Sequence, residues 1–139
     1  QARKYANALG LPIAIGDKER TDHTENAHVL EVIGNVEGKK CLLVDDMIDT
    51  AGTITKAADM FMEMGARSVR AAVTHPVLSG PAYDRINKSA LSEVIVTDTI
   101  PLKQSEDLSK FTVLTVADIF SDVIERVHNY KEISSRFIF

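Results

Sequence analysis

The stretch LLVDDMIDTAGT, residues 42–53, combines residue types that bind sugars with residue types that bind phosphates. It runs from apolar residues into three carboxylates and then into threonine, alanine and glycine, without a lysine or an arginine. A carboxylate accepts hydrogen bonds from hydroxyl groups and can anchor a hydrated Mg²⁺ ion. The stretch therefore raises the question of why acids stand beside a turn that suits an anion.

The turn from Asp49 to Thr53 is predicted to bind a phosphate group. A helix is predicted to begin near Thr53, and the first N–H groups of a helix lack internal acceptors and carry partial positive charge. Thr50 would add a hydroxyl donor, as would Thr53, while Ala51 and Gly52 leave the backbone open to close approach. A phosphomonoester fits such a turn without any lysine.

Asp45 and Asp46 are predicted to lie where a strand ends, at the ligand edge of a sheet. A sugar phosphate would satisfy both halves of the stretch, with its hydroxyls on these acids and its phosphate on the turn. From the residues alone a second interpretation stays open. Acids at strand ends and Thr/Gly-rich helix starts are common solvated caps, and in this interpretation Asp49 or Thr50 is simply an N-cap.

The elements that would position these residues alternate between strands and helices. We predict strands at residues 11–17, 28–34, 41–45, 69–75, 93–98 and 112–116, and helices at 2–9, 53–64, 79–88 and 117–128. The run at 41–45 has the pattern of a strand buried on both faces, whereas 18–27 and 103–110 are predicted loops. The tail at 133–139 is expected to form an edge strand or an interface. The predicted fold is α/β, with a mostly parallel sheet flanked by helices.

Composition excludes several classes of protein. The 139 residues are 45% hydrophobic and 26% charged, which fits one compact domain. A net charge of -4 and no clustered basic stripe argue against nucleic-acid binding, and no apolar run approaches the roughly 18 residues of a membrane span. The single cysteine, Cys41, cannot form an internal disulfide. We therefore expect a cytoplasmic protein without a nucleic-acid or membrane partner.

Four segments, in order and spacing, resemble the ribose-phosphate diphosphokinase (PRPP synthetase) family, whose domains have the type I phosphoribosyltransferase fold, which is Rossmann-like. They are DKER (17–20), VDDMIDTAGTITKAA (44–58), THPVLSGPAYDRIN (74–87) and VTDTIP (96–101). The resemblance covers essentially the whole chain. It implies Mg²⁺-dependent transfer of the pyrophosphoryl group of ATP to the C1 hydroxyl of ribose 5-phosphate, giving PRPP and AMP for nucleotide biosynthesis.

The resemblance also implies roles for individual residues. The family's turn matching Asp49–Thr53 holds the 5-phosphate, and the acids matching Asp45 and Asp46 contact the ribose hydroxyls. Lys18 and Arg20 match the lysine and arginine of the family's catalytic loop, where such cations would stabilise charge on the transferred phosphoryl group. Arg20 is also expected to contact ribose 5-phosphate.

The family enzyme has two domains, and residues 1–139 resemble the C-terminal one. The chain begins with Gln1 and has no signal-peptide pattern, so we expect a fragment that lacks the N-terminal domain. Most ATP contacts and the metal ligands would lie outside it, and no metal ligand is assigned here. The fragment alone should bind ribose 5-phosphate weakly, if at all, and should not turn over. Homo-oligomers, generally hexamers, are implied by the resemblance only.

Two alternatives stay open. A phosphoribosyltransferase that consumes PRPP shares the acids and the turn, but it would not need Lys18 and Arg20 in this place. A regulatory subunit associated with the synthetase would keep the fold without turnover, although damage to the turn or the catalytic loop would then be expected. Base-dependent release of pyrophosphate from PRPP would favour the first alternative.

Overall fold

The computed structural model describes residues 2–20 and 28–136, with the backbone alone described at 15–20, 28–33 and 136. The helices in this part are α1 (Ala2–Leu9), α2 (Gly52–Glu63), α3 (Ala82–Lys88) and α4 (Ala117–His128). The strands are β1 (Ile15–Arg20), β2 (His28–Ile33), β3 (Lys40–Ile48), β4 (Ser68–Pro76), β5 (Leu91–Thr97) and β6 (Phe111–Leu114). The predicted helices at 2–9 and 117–128 are confirmed with their bounds.

The main sheet is parallel, with the strand order β3-β4-β5-β6. Ile48 pairs with Pro76 in β4, and Val73 of β4 pairs with Val96 of β5. Strands β1 and β2 form a separate antiparallel pair. The predicted α/β fold with a mostly parallel sheet flanked by helices is confirmed.

The hydrophobic core lies on one face of this sheet, beneath α2 and α3. Alternate residues of β4 and β5 are fully buried there, as period-two strand geometry requires. Helix α2 contributes Ala58 and Phe61, and α3 contributes Ile86, which is 0% exposed. On the opposite face Leu42 is 50% exposed. The sheet is therefore packed fully from one side within the described residues.

The prediction that residues 41–45 are buried on both faces was wrong. Strand β3 forms the edge of the described sheet, and Leu42 and Met47 remain about half exposed. The strand also continues to Ile48, so Asp45 and Asp46 lie within it and not beyond its end. A continuous apolar run indicates a strand, but it does not determine how many layers cover that strand.

The first predicted strand and loop also need correction. The strand is Ile15–Arg20, so Lys18 and Arg20 belong to β1, where they pair with Leu30 and His28. Backbone pairing with the alternating strand β2 extends β1 into a polar sequence, because ladder hydrogen bonds do not depend on apolar side chains. Residues 21–27 of the predicted loop lie outside the described residues.

Beyond shifts of one or two residues at other bounds, α3 and the tail differ from the prediction. Helix α3 begins at Ala82 and not at Ser79, because Gly80 has a positive φ of 54° and Pro81 occupies the N-cap position. In the tail, Ser134–Arg136 forms a 3₁₀ turn instead of a strand, and residues 137–139 lie outside the described part. No helix among the described residues is long and apolar enough to cross a membrane.

Replacing Ile86 by alanine should lower the free energy of unfolding by about 2–5 kcal/mol, because it removes a fully buried side chain and leaves a cavity. Ile86→Val should cost only about 0.5–1.5 kcal/mol. Ile119→Ala is the matched control, since Ile119 is 65% exposed and should change stability by less than about 0.5 kcal/mol. Denaturant unfolding measures all three; equal effects at positions 86 and 119 would contradict the assigned core.

Candidate functional site

The predicted phosphate turn connects β3 to α2 and contains one residue in an uncommon backbone conformation. Ala51 is the N-cap of α2, with φ 62° and ψ 5°, in the left-handed region. It is only 4% exposed. This conformation costs an alanine roughly 1–2 kcal/mol, and such outliers cluster at ligand sites. The interpretation of Asp49 or Thr50 as the N-cap is therefore wrong.

The start of α2 offers backbone donors that its own cap residue does not satisfy. Ala51 makes no side-chain capping hydrogen bond. The N–H of Thr55 donates to the Ala51 carbonyl at 3.1 Å, which closes the first helical turn. The N–H groups of Gly52, Thr53 and Ile54 precede that bond and have no acceptor within the helix. Together with the helix dipole, they can receive an anion.

The two acids lie next to this turn, in the last residues of β3. The N–H of Asp46 donates to Asp45 Oδ1 at 2.9 Å, and the N–H of Met47 donates to Asp46 Oδ1 at 2.8 Å. Both acids are exposed. A carboxylate has about four lone-pair sites, so one that accepts a backbone N–H can also accept hydroxyl groups. The structure thus brings acids and turn together along one edge of the sheet.

The turn is held by α3 and by the segment between β4 and α3. The N–H of Leu78 donates to the Ile48 carbonyl at 3.0 Å, and the N–H of Ser79 donates to the Asp49 carbonyl at 3.2 Å. The Ser79 hydroxyl also donates to Asp49 Oδ1. Nη1 of Arg85 donates to the Thr50 carbonyl at 3.0 Å. The side chain of Asp49 therefore contacts protein, and its predicted contact with substrate stays a prediction.

Sequence reasoning gave Ser79 and Arg85 no role. Both belong to the stretch THPVLSGPAYDRIN, which follows β4. A signal was present, because the carboxyl ends of neighbouring parallel strands meet at the same edge. What the sequence lacked was the identity of the neighbouring strand.

A cleft of about 530 Å³ lies between α2 and α3 and reaches this turn. Thr50, Gly52 and Thr53 line it together with Lys56 and Arg85. A second cavity of about 700 Å³, lined mainly by apolar residues, includes Asp45 and Thr53. The candidate site thus adjoins open space on two sides.

Polar groups at the carboxyl end of β5 bind the neighbouring strands. The Thr97 hydroxyl donates to the Thr74 carbonyl at 2.6 Å, and Nδ1 of His75 lies 3.0 Å from Oγ1 of Thr99. The pKa of Asp98 is lowered because its carboxylate accepts hydrogen bonds from the Thr115 hydroxyl and the Val116 N–H. The acid of the VTDTIP stretch therefore joins β5 to the start of α4.

Among the described side chains, those of residues 2–14 and 34–135, no group of three or more His, Cys, Asp or Glu is arranged to hold a metal ion. Mg²⁺ usually keeps several waters and takes one or two carboxylates plus substrate phosphates. The exposed carboxylates of Asp45 and Asp46 fit the one or two carboxylate ligands of such a site. Lys18 and Arg20 have described backbones in β1, but their side chains lie outside the described part, so their predicted roles stay predictions.

Comparison with known proteins identifies relatives over nearly the whole chain. It is 49% identical over 138 residues to ribose-phosphate pyrophosphokinase 1 of Streptococcus pyogenes serotype M3, covering 99% of this chain and 43% of that protein. It is 47% identical over 137 residues to the ribose-phosphate pyrophosphokinase of Clostridium perfringens, covering 99% and 43%. The chain thus spans less than half the length of these curated relatives.

A solved structure and a family model agree with these relatives. The crystal structure of phosphoribosylpyrophosphate synthetase from Mycobacterium smegmatis is similar with a TM-score of 0.83 and 40% sequence identity, over 93% of this chain and 41% of that one. The family model described as the phosphoribosyl synthetase-associated domain matches residues 20–138. The chain therefore belongs to the phosphoribosyl synthetase-associated domain family.

Proposed function

We propose that this chain forms the ribose 5-phosphate site of a PRPP synthetase, an enzyme that transfers the pyrophosphoryl group of ATP to the C1 hydroxyl of ribose 5-phosphate. One observation carries the proposal most directly. A buried alanine with positive φ is the N-cap of α2 and makes no side-chain capping bond, and the exposed Asp45 and Asp46 precede it in the same stretch. The names of the relatives support the same substrate.

In this proposal the two halves of the site bind opposite ends of the sugar phosphate. The 5-phosphate accepts hydrogen bonds from the backbone between Asp49 and Thr53 and from the hydroxyls of Thr50 and Thr53. The ribose hydroxyls donate to Asp45 and Asp46. The acids therefore orient the sugar. They precede the turn in the chain, and in this proposal they contact the sugar end of the ligand and not its phosphate end.

The transfer step requires positive charge near the phosphoryl group. We assign this role to Lys18 and Arg20, as the resemblance of DKER to the family's catalytic loop implies. Arg20 would also contact ribose 5-phosphate. Bound Mg²⁺ would supply additional neutralisation of the ATP phosphates, with Asp45 or Asp46 as its carboxylate contact in this chain. ATP and AMP as donor and product belong to the same proposal.

Assembly into homo-oligomers, hexamers as the family suggests, stays part of the proposal. The apolar side chains of α4 support a protein contact there, because Ile119, Phe120, Ile124 and Val127 are each 59–65% exposed.

The activity is tested by giving the full-length protein ATP, Mg²⁺ and ribose 5-phosphate and measuring AMP and PRPP by chromatography. We expect both products in equal amounts. Base-dependent release of pyrophosphate from PRPP, without AMP formation, would favour a phosphoribosyltransferase. Association with an active synthetase without turnover would favour a regulatory subunit. Steady AMP release by the 139 residues alone would contradict the expectation that essential ATP contacts lie elsewhere.

Replacing Lys18 and Arg20 together by alanine should lower kcat by about 10²-fold or more, since positioned cations at developing charge contribute on that scale. The matched control is Lys39→Ala with Arg67→Ala, a lysine and an arginine before the amino ends of β3 and β4. That control should stay within about twofold. Full activity in the first double variant would show that the catalytic residues are assigned wrongly.

Replacing Asp45 by asparagine should raise the KM for ribose 5-phosphate by roughly tenfold or more, because a hydrogen bond to a charged group contributes about 1.5–3 kcal/mol. The KM for ATP should change little. Glu93→Gln is a control, since this half-buried acid pairs with Arg70 away from the turn. An Asp45→Asn enzyme with an unchanged KM for ribose 5-phosphate would remove this acid from the sugar site.

A further inference from the structure

We infer that Arg85 is a positioning residue that aims the backbone of the phosphate turn at its ligand. The inference deepens the proposed function and rests on it. Nη1 of Arg85, on α3, donates to the Thr50 carbonyl at 3.0 Å, although the two residues are 35 positions apart in the chain. The contact joins a charged side chain to the backbone at the centre of the turn.

The contact fixes the direction of the next N–H group. The described peptide bonds are all trans, and in a trans peptide the C=O and the N–H of one planar unit point in opposite directions. Holding the Thr50 carbonyl toward Arg85 therefore turns the N–H of Ala51 away from the guanidinium. The positive charge of the guanidinium, placed at the carbonyl oxygen, also polarises the peptide group and strengthens that N–H as a donor. Arg85 thus acts on an anion through the peptide that joins Thr50 to Ala51.

The two preceding peptide groups are held by the segment that leads from β4 into α3. The carbonyls of Ile48 and Asp49 accept hydrogen bonds from the N–H groups of Leu78 and Ser79. Leu78 is 1% exposed and has a positive φ of 49°, so the donor segment is itself fixed in an uncommon conformation. Three consecutive carbonyls of the turn are therefore bound from the β4–α3 side. Arg85 is the charged member of this set.

The guanidinium of Arg85 lies beside Gly52, the first residue of α2. A Cβ atom at this position would lie 3.4 Å from Nη1 of Arg85 and 3.9 Å from Oγ1 of Thr50. The φ of Gly52 is not in the positive region, so the backbone conformation does not by itself require glycine. A side chain here would therefore be in contact with Arg85, which places the guanidinium against the first residue of α2.

A purely structural role would give a different result from a positioning role. Arg85 is exposed, and its neighbour Asp84 is paired with Lys88 at 2.8 Å. Truncating an exposed side chain changes stability little. Loss of the Thr50 contact should therefore appear in the binding of the phosphate end of the sugar, and only weakly in the melting temperature.

The test compares Arg85→Met and Arg85→Lys with Arg70→Met in the full-length protein. Arg70 is the matched control because it is an exposed arginine that pairs with Glu93 at 3.3 Å, away from the turn. We expect Arg85→Met to raise the KM for ribose 5-phosphate about tenfold. The KM for ATP should stay within about twofold and the melting temperature should change little. Arg85→Lys should recover part of the loss, and Arg70→Met should match the wild type.

The outcomes distinguish failure of this inference from failure of the proposed function. An unchanged KM for ribose 5-phosphate in Arg85→Met, with an active wild type, overturns the role of Arg85 alone. Equal changes in both KM values, accompanied by a lower melting temperature, also overturn it, because they indicate a general structural effect. A wild-type protein that does not bind ribose 5-phosphate, measured by isothermal titration, contradicts the proposed function and this inference with it.

Discussion

The parallel pairing of β3 with β4 is the interaction on which the candidate site depends. Its register places Ile48 beside Pro76, so the residues that follow each strand leave the sheet together. The N–H groups of Leu78 and Ser79 then lie within reach of the turn that follows β3. A register shifted by one residue would turn the side chains of β3 to the opposite face and separate these donors from their carbonyls.

This arrangement explains how acids and an anion turn can coexist. The turn obtains positive potential from backbone N–H groups and the start of α2, and Arg85 adds a charge at the Thr50 carbonyl. The carboxylates of Asp45 and Asp46 are bonded to the backbone of β3, which keeps them on the strand. In the proposed function the two kinds of group bind different ends of ribose 5-phosphate. Ala51, the N-cap of α2, lies between the strand that carries the acids and the helix that carries the N–H donors.

Much of the fold was predictable because its signals are local. Helix α4 has a clear helical period, and its bounds were predicted correctly. The edge position of β3 and the extension of β1 to Arg20 were not predictable, because both depend on pairing with distant strands. For the same reason, the stretch containing Asp45 and Thr53 was recognised from its residue types, whereas the contact of Arg85 with Thr50 required the tertiary structure.

The bonds from Ser79 and Arg85 to the turn have a thermodynamic consequence. Ser79 and Arg85 reach Asp49 and Thr50 across 30 and 35 residues of chain, so the complete set of donors exists only in the native state. A ligand that occupies the turn therefore binds the folded chain and not the unfolded one. By mass action, its binding energy becomes folding stability, about 2.7 kcal/mol at a ligand concentration 100 times Kd. If the proposed ribose 5-phosphate site is correct, the supply of that sugar phosphate and the stability of the folded protein are linked through one turn.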